Sequence, residues 1–421
     1  MKKRSAFFIA IRYLWGRAHE GGRYLRGAAA GIAVSLVPII VTLIVADGMI
    51  RGITDRYLEL GTGHIQVFNF FTNESEDDVI KKIKEINGIR GVWQEHRAMG
   101  VLAGREGRQG VTVRSIDSSF WDEQGSGKFL EIIEGGYKPD SERAIVLGAA
   151  LASGLGVKTG DIVRLMTVRN DDNGRLLPRS ASFIVTGIVS SGYNEIDALW
   201  CIIGLDGAAR IFMQDQSSSS LIVKIDEPYE KADLYAWEIF KKLGTGYNVY
   251  TWKEILRSQY SSYETTKQLL MFIMALIVLV AAVNVSSATS MLALERQKDI
   301  AILKISGACV GGVMKVFIFG SLLTGLAGTL IGTAAGLLIG VNINFLIRSL
   351  EKTLNFFSGI FRGGEIRILD PGFYLETIPI IVDWNSVLLI AIFTIVCSAI
   401  SSLIPARRAG KLKPMELLRK T

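Results

Sequence analysis

Residues Gly125, Ser126, Gly127 and Lys128 come nearest in this chain to a known chemical motif, the end of a phosphate-binding loop. That loop needs an earlier glycine and a magnesium-binding Ser or Thr after the lysine, so that backbone N–H groups and the lysine surround the phosphates. Here Phe129 replaces the Ser or Thr, and aspartate occupies position 122, where the first glycine is required. We interpret the segment as a surface turn, and we expect any ATP to be hydrolysed by another chain.

Other groups capable of catalysis or metal binding are few and scattered. The cysteines and histidines are Cys201, Cys309, Cys397, His19, His64 and His96. A zinc site or a nucleophile–base pair needs several of these residue types at short, characteristic spacings. The sequence therefore predicts no metal, no cofactor and no catalytic residue on this chain, and an independent enzyme is not favoured.

Apolar residues form four long runs, one near the N-terminus and three in the last third of the chain. Each run reaches the roughly 20 helical residues that cross a bilayer core, and each lacks Asp, Glu, Lys and Arg: 27–46, 268–294, 316–347 and 384–406. About 220 mostly polar residues separate the first run from the second. The sequence thus predicts a membrane α-helical fold with four transmembrane helices and a large α+β extracytoplasmic domain inserted between helices 1 and 2.

Lys and Arg gather at both ends of the chain and in the loop between the second and third runs. Because cytoplasmic loops carry an excess of these residues, both termini are predicted to be cytoplasmic. The formal net charge of +7 then lies where anionic lipid headgroups are, so it does not indicate nucleic acid.

The predicted segments are 1–26, cytoplasmic with an interfacial helix; 27–50, first span; 51–267, outer domain and stalk; 268–294, second span; 295–315, cytoplasmic loop; 316–347, third span; 348–383, outer loop; 384–406, fourth span; and 407–421, cytoplasmic tail.

The outer domain shows strand patterns at 64–68, 162–167 and 182–189 and helix patterns after residue 74 and at 149–155. Between the last two strands, 168–181 is polar but contains Leu176, Leu177 and Pro178, which we expect at an exposed hairpin tip. Exposed apolar residues there indicate a docking site for a partner, although loops of this length are also often only connections.

Two further patterns are helical. From Trp252 the apolar spacing continues into the second run without Gly or Pro, which predicts one continuous helix able to act as a lever. In 295–308, Ile300, Leu303 and Ile305 recur beside charged residues, which favours a short amphipathic helix packed on a soluble partner. An ordinary solvated connector is the alternative.

These last segments resemble a known family. The run 295–308 reads Glu-Arg-x-x-Asp-Ile-Ala-Ile-Leu-Lys-x-x-Gly-Ala, and 404–409 reads Ile-Pro-Ala-Arg-Arg-Ala. Both are similar to the FtsX/MacB-like ABC transporter permease family, which includes the macrolide exporter and the FtsX division protein. Within that family the resemblance is closest to the lipoprotein-releasing permeases LolC and LolE. It extends over nearly the whole chain and includes Asp47-Gly48-Met49, Val146-Leu147-Gly148 and Leu369-Asp370-Pro371.

The resemblance implies a type VII permease, a non-catalytic subunit of a homodimer or heterodimer in the bacterial inner membrane. A separate LolD-like ABC ATPase would hold ATP and Mg and drive the complex by mechanotransmission. The complex would extract acylated lipoproteins from the outer leaflet and pass them to a LolA-like periplasmic carrier, with membrane lipids as surroundings.

The resemblance also implies roles for the positions of this chain that match the family. The ATPase-coupling helix would use Glu295, Arg296, Asp299, Ile300, Leu303, Lys304, Gly307 and Ala308. The carrier-docking hook would be Arg175, Leu176, Leu177, Pro178 and Arg179, although its acidic pair Asp171–Asp172 departs from the family. Acyl chains would contact Ile40, Leu43, Ile44, Leu270 and Phe272.

Two other functions are consistent with the same resemblance. One is the permease of a tripartite peptide or drug efflux pump, and the other is an FtsX-like activator of a cell-wall hydrolase. A neighbouring gene for a carrier, an adaptor or a hydrolase would separate the three.

Overall fold

The computed structural model describes residues 21–69, 74–170, 176–208, 219–360, 368, 375 and 377–411. The chain divides into two compact units. We call Met1–Gly48, Tyr263–Ile366 and Ile378–Thr421 the membrane unit, and Met49–Ser262 with Arg367–Thr377 the outer unit. The interfacial helix predicted within 1–26 lies mostly outside the described residues.

The helices, in chain order, are α1 (Gly21–Arg56), α2 (Glu76–Lys84), α3 (Gln124–Phe129), α4 (Ala149–Leu155), α5 (Asn194–Asp197), α6 (Leu205–Ala208), α7 (Pro228–Leu243), α8 (Trp252–Ile255), α9 (Arg257–Glu295), α10 (Gln297–Ile305), α11 (Val310–Val341), α12 (Ile343–Ile360), α13 (Trp384–Ser401) and α14 (Leu403–Lys411). Among the described residues, four helical segments are long and apolar enough to cross a membrane: Arg23–Thr62, Arg257–Glu295, Val310–Val341 and Trp384–Lys411. With the sheet domain between the first and second of them, the predicted fold class is confirmed.

Glycines on one face of α11 set its packing against α1. They recur at every fourth residue: Gly328, Gly332, Gly336 and Gly340. A Cβ atom built on Gly332 would lie 2.8 Å from Cα of Ala33, and one on Gly336 would lie 2.9 Å from Cβ of Ile40. Small residues let membrane helices approach closely and gain van der Waals contact, which replaces the hydrophobic driving force available in water. The glycine-rich third run is therefore the surface on which α1 packs.

An ion cluster joins three of the spanning helices. Lys267 Nζ of α9 lies 2.8 Å from Asp47 Oδ1 of α1 and 3.5 Å from Asp383 Oδ2. Asp383 also accepts a hydrogen bond from the backbone N–H of Asn385 and so caps the N-terminus of α13. Lys267 therefore links α9 to α1 and to the N-cap residue of α13.

Helix α11 ends before the predicted third span, 316–347, does. The apolar run continues to residue 347, but α11 ends at Val341 and a separate helix, α12, follows. The Asn342 side-chain amide donates to the carbonyl of Leu338 at 2.8 Å. Short polar side chains that bond nearby backbone groups favour helix ends, so one asparagine accounts for the break within an apolar run.

The strands are β1 (Ile65–Asn69), β2 (Ile89–Ala103), β3 (Arg108–Ile116), β4 (Glu131–Gly135), β5 (Ala144–Gly148), β6 (Ile162–Asn170), β7 (Leu176–Ser190), β8 (Trp200–Ile203), β9 (Ser219–Ile225) and β10 (Tyr247–Thr251). In the described part of the outer unit these ten form one sheet in the order β10-β1-β9-β2-β3-β8-β5-β7-β4, with β6 pairing with β2 and β7. The pairs β3–β8 and β5–β7 are parallel, whereas the others are antiparallel.

The outer unit consists of two halves with separate cores. In the first half, β10-β1-β9-β2 with α2 and α7 form two interleaved βαβ units, the ferredoxin-like arrangement. Its core includes Ile65, Val79, Ile83, Val223 and Trp252. The second half is inserted between β2 and β9, and its core includes Leu102, Val113, Val163, Phe183 and Cys201. The strands predicted at 64–68, 162–167 and 182–189 are all present.

Candidate functional site

The short helix α10 follows α9 after a break at Arg296, whose φ and ψ of −93° and 23° are not helical. Its C-terminus is closed by Gly307, which has φ +87°. The N–H of Gly307 donates to Lys304 O at 3.0 Å, and the N–H of Ala308 donates to Leu303 O at 2.9 Å. Because a side chain strains this left-handed conformation, glycine is the residue that ends the helix here.

Helix α10 has two apolar faces. Ile300 and Ala301 are each 1% exposed, and Ile300 packs with Leu25, Val313 and Ala406 inside the membrane unit. In this conformation the side chain of Ile300 is part of the core, and its contact with an ATPase stays a prediction.

The outward face carries Ile302 and Ile305, 61% and 65% exposed. Ile302 is not among the predicted coupling residues, although its position two residues after Ile300 on a helix places it on the other side.

The remaining predicted coupling residues differ in exposure, and Ala308 packs against the core of the membrane unit. Glu295 and Gly307 are exposed, while Leu303, Lys304 and Ala308 are half-buried. Arg296 Nη1 lies 3.2 Å from Asp299 Oδ2, an ion pair between the residue at the break and the first turn of α10. The segment thus presents two exposed isoleucines, with charged residues nearby in the sequence.

The predicted hook coincides with the end of the β6–β7 hairpin, which is paired in register from Ile162↔Ile184 to Asn170↔Leu176. Arg175 lies outside the described residues, as do the side chains of Leu176 and Leu177. Pro178 is exposed and pairs with Val168, and Arg179 is half-buried and pairs with Thr167. The hairpin is longer than the two predicted strands, so most of the polar stretch 168–181 is itself strand.

The predicted acyl-contact residues do not share one surface. Ile40, Leu43 and Ile44 are 0–3% exposed, since α11 and other helices of the unit cover them. Their side chains are covered in this conformation, and their contact with acyl chains stays a prediction. Leu270 is half-buried, and Phe272 is 64% exposed. Phe272 belongs to an exposed apolar band on α9 with Leu269, Ile273, Leu276, Val280 and Val283. Between residues 28 and 50 of α1, the exposed positions are instead Ala30, Val34, Pro38 and Thr42.

A cleft of about 150 Å³ lies beside this band, between α9 and α13. Its lining is apolar and consists of Met271, Met274, Ala275, Val278, Leu389, Ile390 and Phe393. The contact between these two helices could not be predicted from either apolar run alone.

Comparison with known proteins agrees with this architecture. Residues 27–235 match the MacB-like periplasmic core domain, and residues 271–414 match the FtsX-like permease C-terminal domain. The chain is an ABC transporter permease of the FtsX/MacB-like family.

Among curated proteins, the chain is similar over its whole length to subunits of one system. It is 28% identical to the lipoprotein-releasing system transmembrane protein LolC of Neisseria meningitidis, over 98% of both chains. It is 24% identical to LolE of Haemophilus influenzae, again over 98% of both chains. Among solved structures, it overlaps the periplasmic region of MacB from Actinobacillus actinomycetemcomitans with a TM-score of 0.31 and 14% identity, covering 51% of this chain and 95% of that one.

Proposed function

We propose that this permease extracts acylated lipoproteins from the outer leaflet of the inner membrane and delivers them to a periplasmic carrier. The similarity to LolC over 98% of both chains carries this proposal, because it includes the outer unit as well as the spanning helices. The proposed arrangement has both termini in the cytoplasm and the outer unit in the periplasm.

Extraction needs an external energy source. Each acyl methylene buried in the bilayer is worth about 0.8 kcal/mol, so a lipoprotein with several chains is held strongly. A separate LolD-like ATPase, holding ATP and Mg, would supply this energy, and a second permease subunit would complete the dimer. The partner's docking surface would be the outward face of α10, where Ile302 and Ile305 are exposed.

Motion would travel along continuous helices. Helix α9 has 39 residues, about 58 Å at 1.5 Å per residue, against about 30 Å for a bilayer core. Helix α1 has 36 residues over its described length. Displacement at the cytoplasmic face could therefore reach the periplasmic ends of both helices without a break. The β6–β7 hairpin, with Pro178 exposed, would receive the LolA-like carrier.

Reconstitution tests this function. The chain and its co-purifying ATPase are placed in vesicles that contain a triacylated lipoprotein, and release into a soluble fraction with the carrier is measured. Release that requires ATP is expected. ATP hydrolysis without release would contradict the proposal and lead to a search for an adaptor or a cell-wall hydrolase bound to the outer unit.

Substituting Ile302→Asp tests the ATPase contact. A charge at the centre of an apolar docking surface should lower ATPase co-purification and ATP-dependent release by about tenfold or more, as for other interface hot spots. Ile162→Asp is the matched control, since Ile162 is 70% exposed in the outer unit. Equal ATP-dependent release of lipoprotein by the Ile302→Asp and Ile162→Asp variants would contradict docking of the ATPase on α10.

The native cysteines test the topology. Cys309 is exposed at the start of α11, whereas Cys201 is buried, and burial raises the pKa of its thiol and suppresses its reactivity. A membrane-impermeant maleimide should label Cys309 in inverted vesicles but not in right-side-out vesicles, and Cys309→Ser should abolish that labelling. A cysteine replacing exposed Ser182 should show the opposite sidedness. Labelling of Cys309 from the outside would overturn the proposed orientation.

A further inference from the structure

Helix α1 passes directly into a single π-helical turn, Tyr57–Thr62, which lies in the outer unit and leads through Gly63 to β1. The last carbonyls of a helix have no partners within the helix and need them from elsewhere. At this turn, four consecutive carbonyls accept hydrogen bonds from side chains. The donors are Ser126 Oγ to Glu59 O (3.2 Å), Arg114 Nη1 to Leu60 O, Arg114 Nη2 and Arg97 Nη2 to Gly61 O (3.0 and 3.1 Å), and Gln66 Nε2 to Thr62 O (2.8 Å). We call these four donor residues, Gln66, Arg97, Arg114 and Ser126, the helix-end clamp.

The central donor, Arg114, is a fully buried cation. Its Nε donates to Glu95, which is also fully buried, and the other oxygen of Glu95 lies 2.7 Å from Arg97 Nη2. Burying such a pair costs several kcal/mol of desolvation per ion, so it is not an economical way to stabilise a sheet. The arrangement instead fixes where two guanidinium groups point, and both point at the same carbonyl.

A second buried cation holds the side chain of the same turn. Lys224 Nζ of β9 lies 2.9 Å from Glu59 Oε2, 2.7 Å from Glu123 Oε2 and 2.6 Å from Ser126 Oγ. The other oxygen of Glu59 lies 3.2 Å from His64 Nε2, and the opposite ring nitrogen of His64 accepts from the N–H of Ile225. Both the backbone and the carboxylate of the turn are thus bonded to the sheet.

Two other helix ends in this protein are closed without side-chain donors from distant elements. Helices α4 and α10 are each closed by one glycine in the left-handed conformation, Gly156 and Gly307, with local backbone hydrogen bonds. The end of α1 is instead held by residues of β1, β2, β3, α3 and β9. π-Helical turns occur frequently at functional sites, and a helix end bonded on several sides cannot fray or rotate without moving the sheet.

We propose that the helix-end clamp is the joint through which displacement of α1 moves the sheet of the outer unit, with Arg114 and Lys224 as positioning residues. This inference rests on the proposed lipoprotein extraction, in which the outer unit must respond to ATP hydrolysis at the opposite end of the chain.

The test removes the central donor of the clamp, Arg114, together with its buried partner Glu95, so that neither buried charge is left unpaired. In the full complex, Arg114→Met combined with Glu95→Leu should retain assembly and ATP hydrolysis within about twofold, while lipoprotein released per ATP falls by about tenfold, within the range of coupling between distant sites. Arg114→Lys should lie between this variant and the wild type, because lysine keeps the charge but lacks the forked donors. The control is Lys231→Met with Glu227→Leu, an exposed ion pair of the same unit, which should not change the release per ATP.

A second readout separates the joint from the transport function. Spin labels are placed at Arg51→Cys on α1 and Ser182→Cys on β7 in a chain with the native cysteines replaced by serine. Their distance distribution should stay narrow in all nucleotide states of the wild type and should broaden in the Arg114→Met, Glu95→Leu variant. If the wild type hydrolyses ATP without releasing lipoprotein, the proposed function is contradicted. The spin-label distances still test whether the clamp joins α1 to the sheet, because they do not depend on lipoprotein release.

Two results for the Arg114→Met, Glu95→Leu variant would contradict the proposed joint. One is lipoprotein release per ATP at the wild-type level, and the other is a spin-label distance distribution as narrow as that of the wild type. Should the double variant not assemble, Gln66→Leu with Ser126→Ala removes two donors without touching a charged group. A decrease in release per ATP would then support the joint, and no change would overturn it.

Discussion

Gly332→Leu is expected to leave little or no folded membrane unit. A Cβ atom at this position would lie 2.8 Å from Cα of Ala33 and 2.9 Å from its carbonyl oxygen, so the obstacle is backbone that cannot turn aside. Overpacking of a close-packed contact costs about 1–3 kcal/mol and occasionally more, and backbone contacts favour the upper end or beyond. The measurements are the yield of monodisperse protein in detergent and its thermal melting.

Gly311→Leu is the matched control on the same helix, because nothing lies within 4 Å of a Cβ built there. It should express and melt like the wild type. If the two variants behaved alike, the contact between α1 and α11 would not be the close approach described above.

Lys224→Met is expected to destabilise the outer unit by about 3–5 kcal/mol at neutral pH, the usual effect of removing one partner of a buried ion pair. The side chains of Glu59 and Glu123 are only 14% and 12% exposed and would lose the cation between them. Unfolding of the full chain in denaturant can be followed by tryptophan fluorescence, since Trp93 lies near Lys224.

Lowering the pH should reduce the loss of folding stability that Lys224→Met causes. Burial acts to raise the pKa of Glu59, but hydrogen bonds and charge interactions with His64 and Lys224 outweigh it and lower the pKa from 4.5 to about 2. A carboxyl group with a lowered pKa adds stability above its unfolded pKa, and this stability is lost as the pH falls through the folded value. The wild type should therefore lose stability between about pH 4.5 and 2, and the variant should lose less.

The exposed Lys231→Met is the control and should show no pH-dependent deficit. A deficit in Lys224→Met of the same size at pH 7 and at about pH 3 would contradict the role of Glu59 in this linkage.

The four spans could be predicted because a run of about 20 apolar residues is a signal along the chain itself. An apolar run does not show which face of a span packs against other helices. Ile40 and Ile44 are as apolar as any lipid-facing residue, and they are buried because Gly336 and Gly340 of another helix lie against them. The four-residue glycine period in the third run was visible and could have indicated a partner helix, although not which one.

The predicted coupling helix shows the same limit of sequence analysis. The amphipathic pattern located α10 correctly, but isoleucines lie on two of its faces, at Ile300 and at Ile302. A helix of nine residues gives no basis for deciding which face the membrane unit covers, since that depends on α11 and α14. The helix-end clamp was also beyond prediction, because its donors come from elements far apart in sequence.

Strand β2 belongs to both halves of the outer unit. Residues from Ile89 to His96 pair with β9 of the ferredoxin-like half, and residues from Glu95 to Ala103 pair with β3 of the inserted half. Neither half can lose its structure without exposing the hydrogen-bonding groups of a strand that the other half also needs. Despite having two cores, the outer unit should therefore unfold in one cooperative transition, and the amide protons in the middle of β2 should be among the last to exchange with solvent.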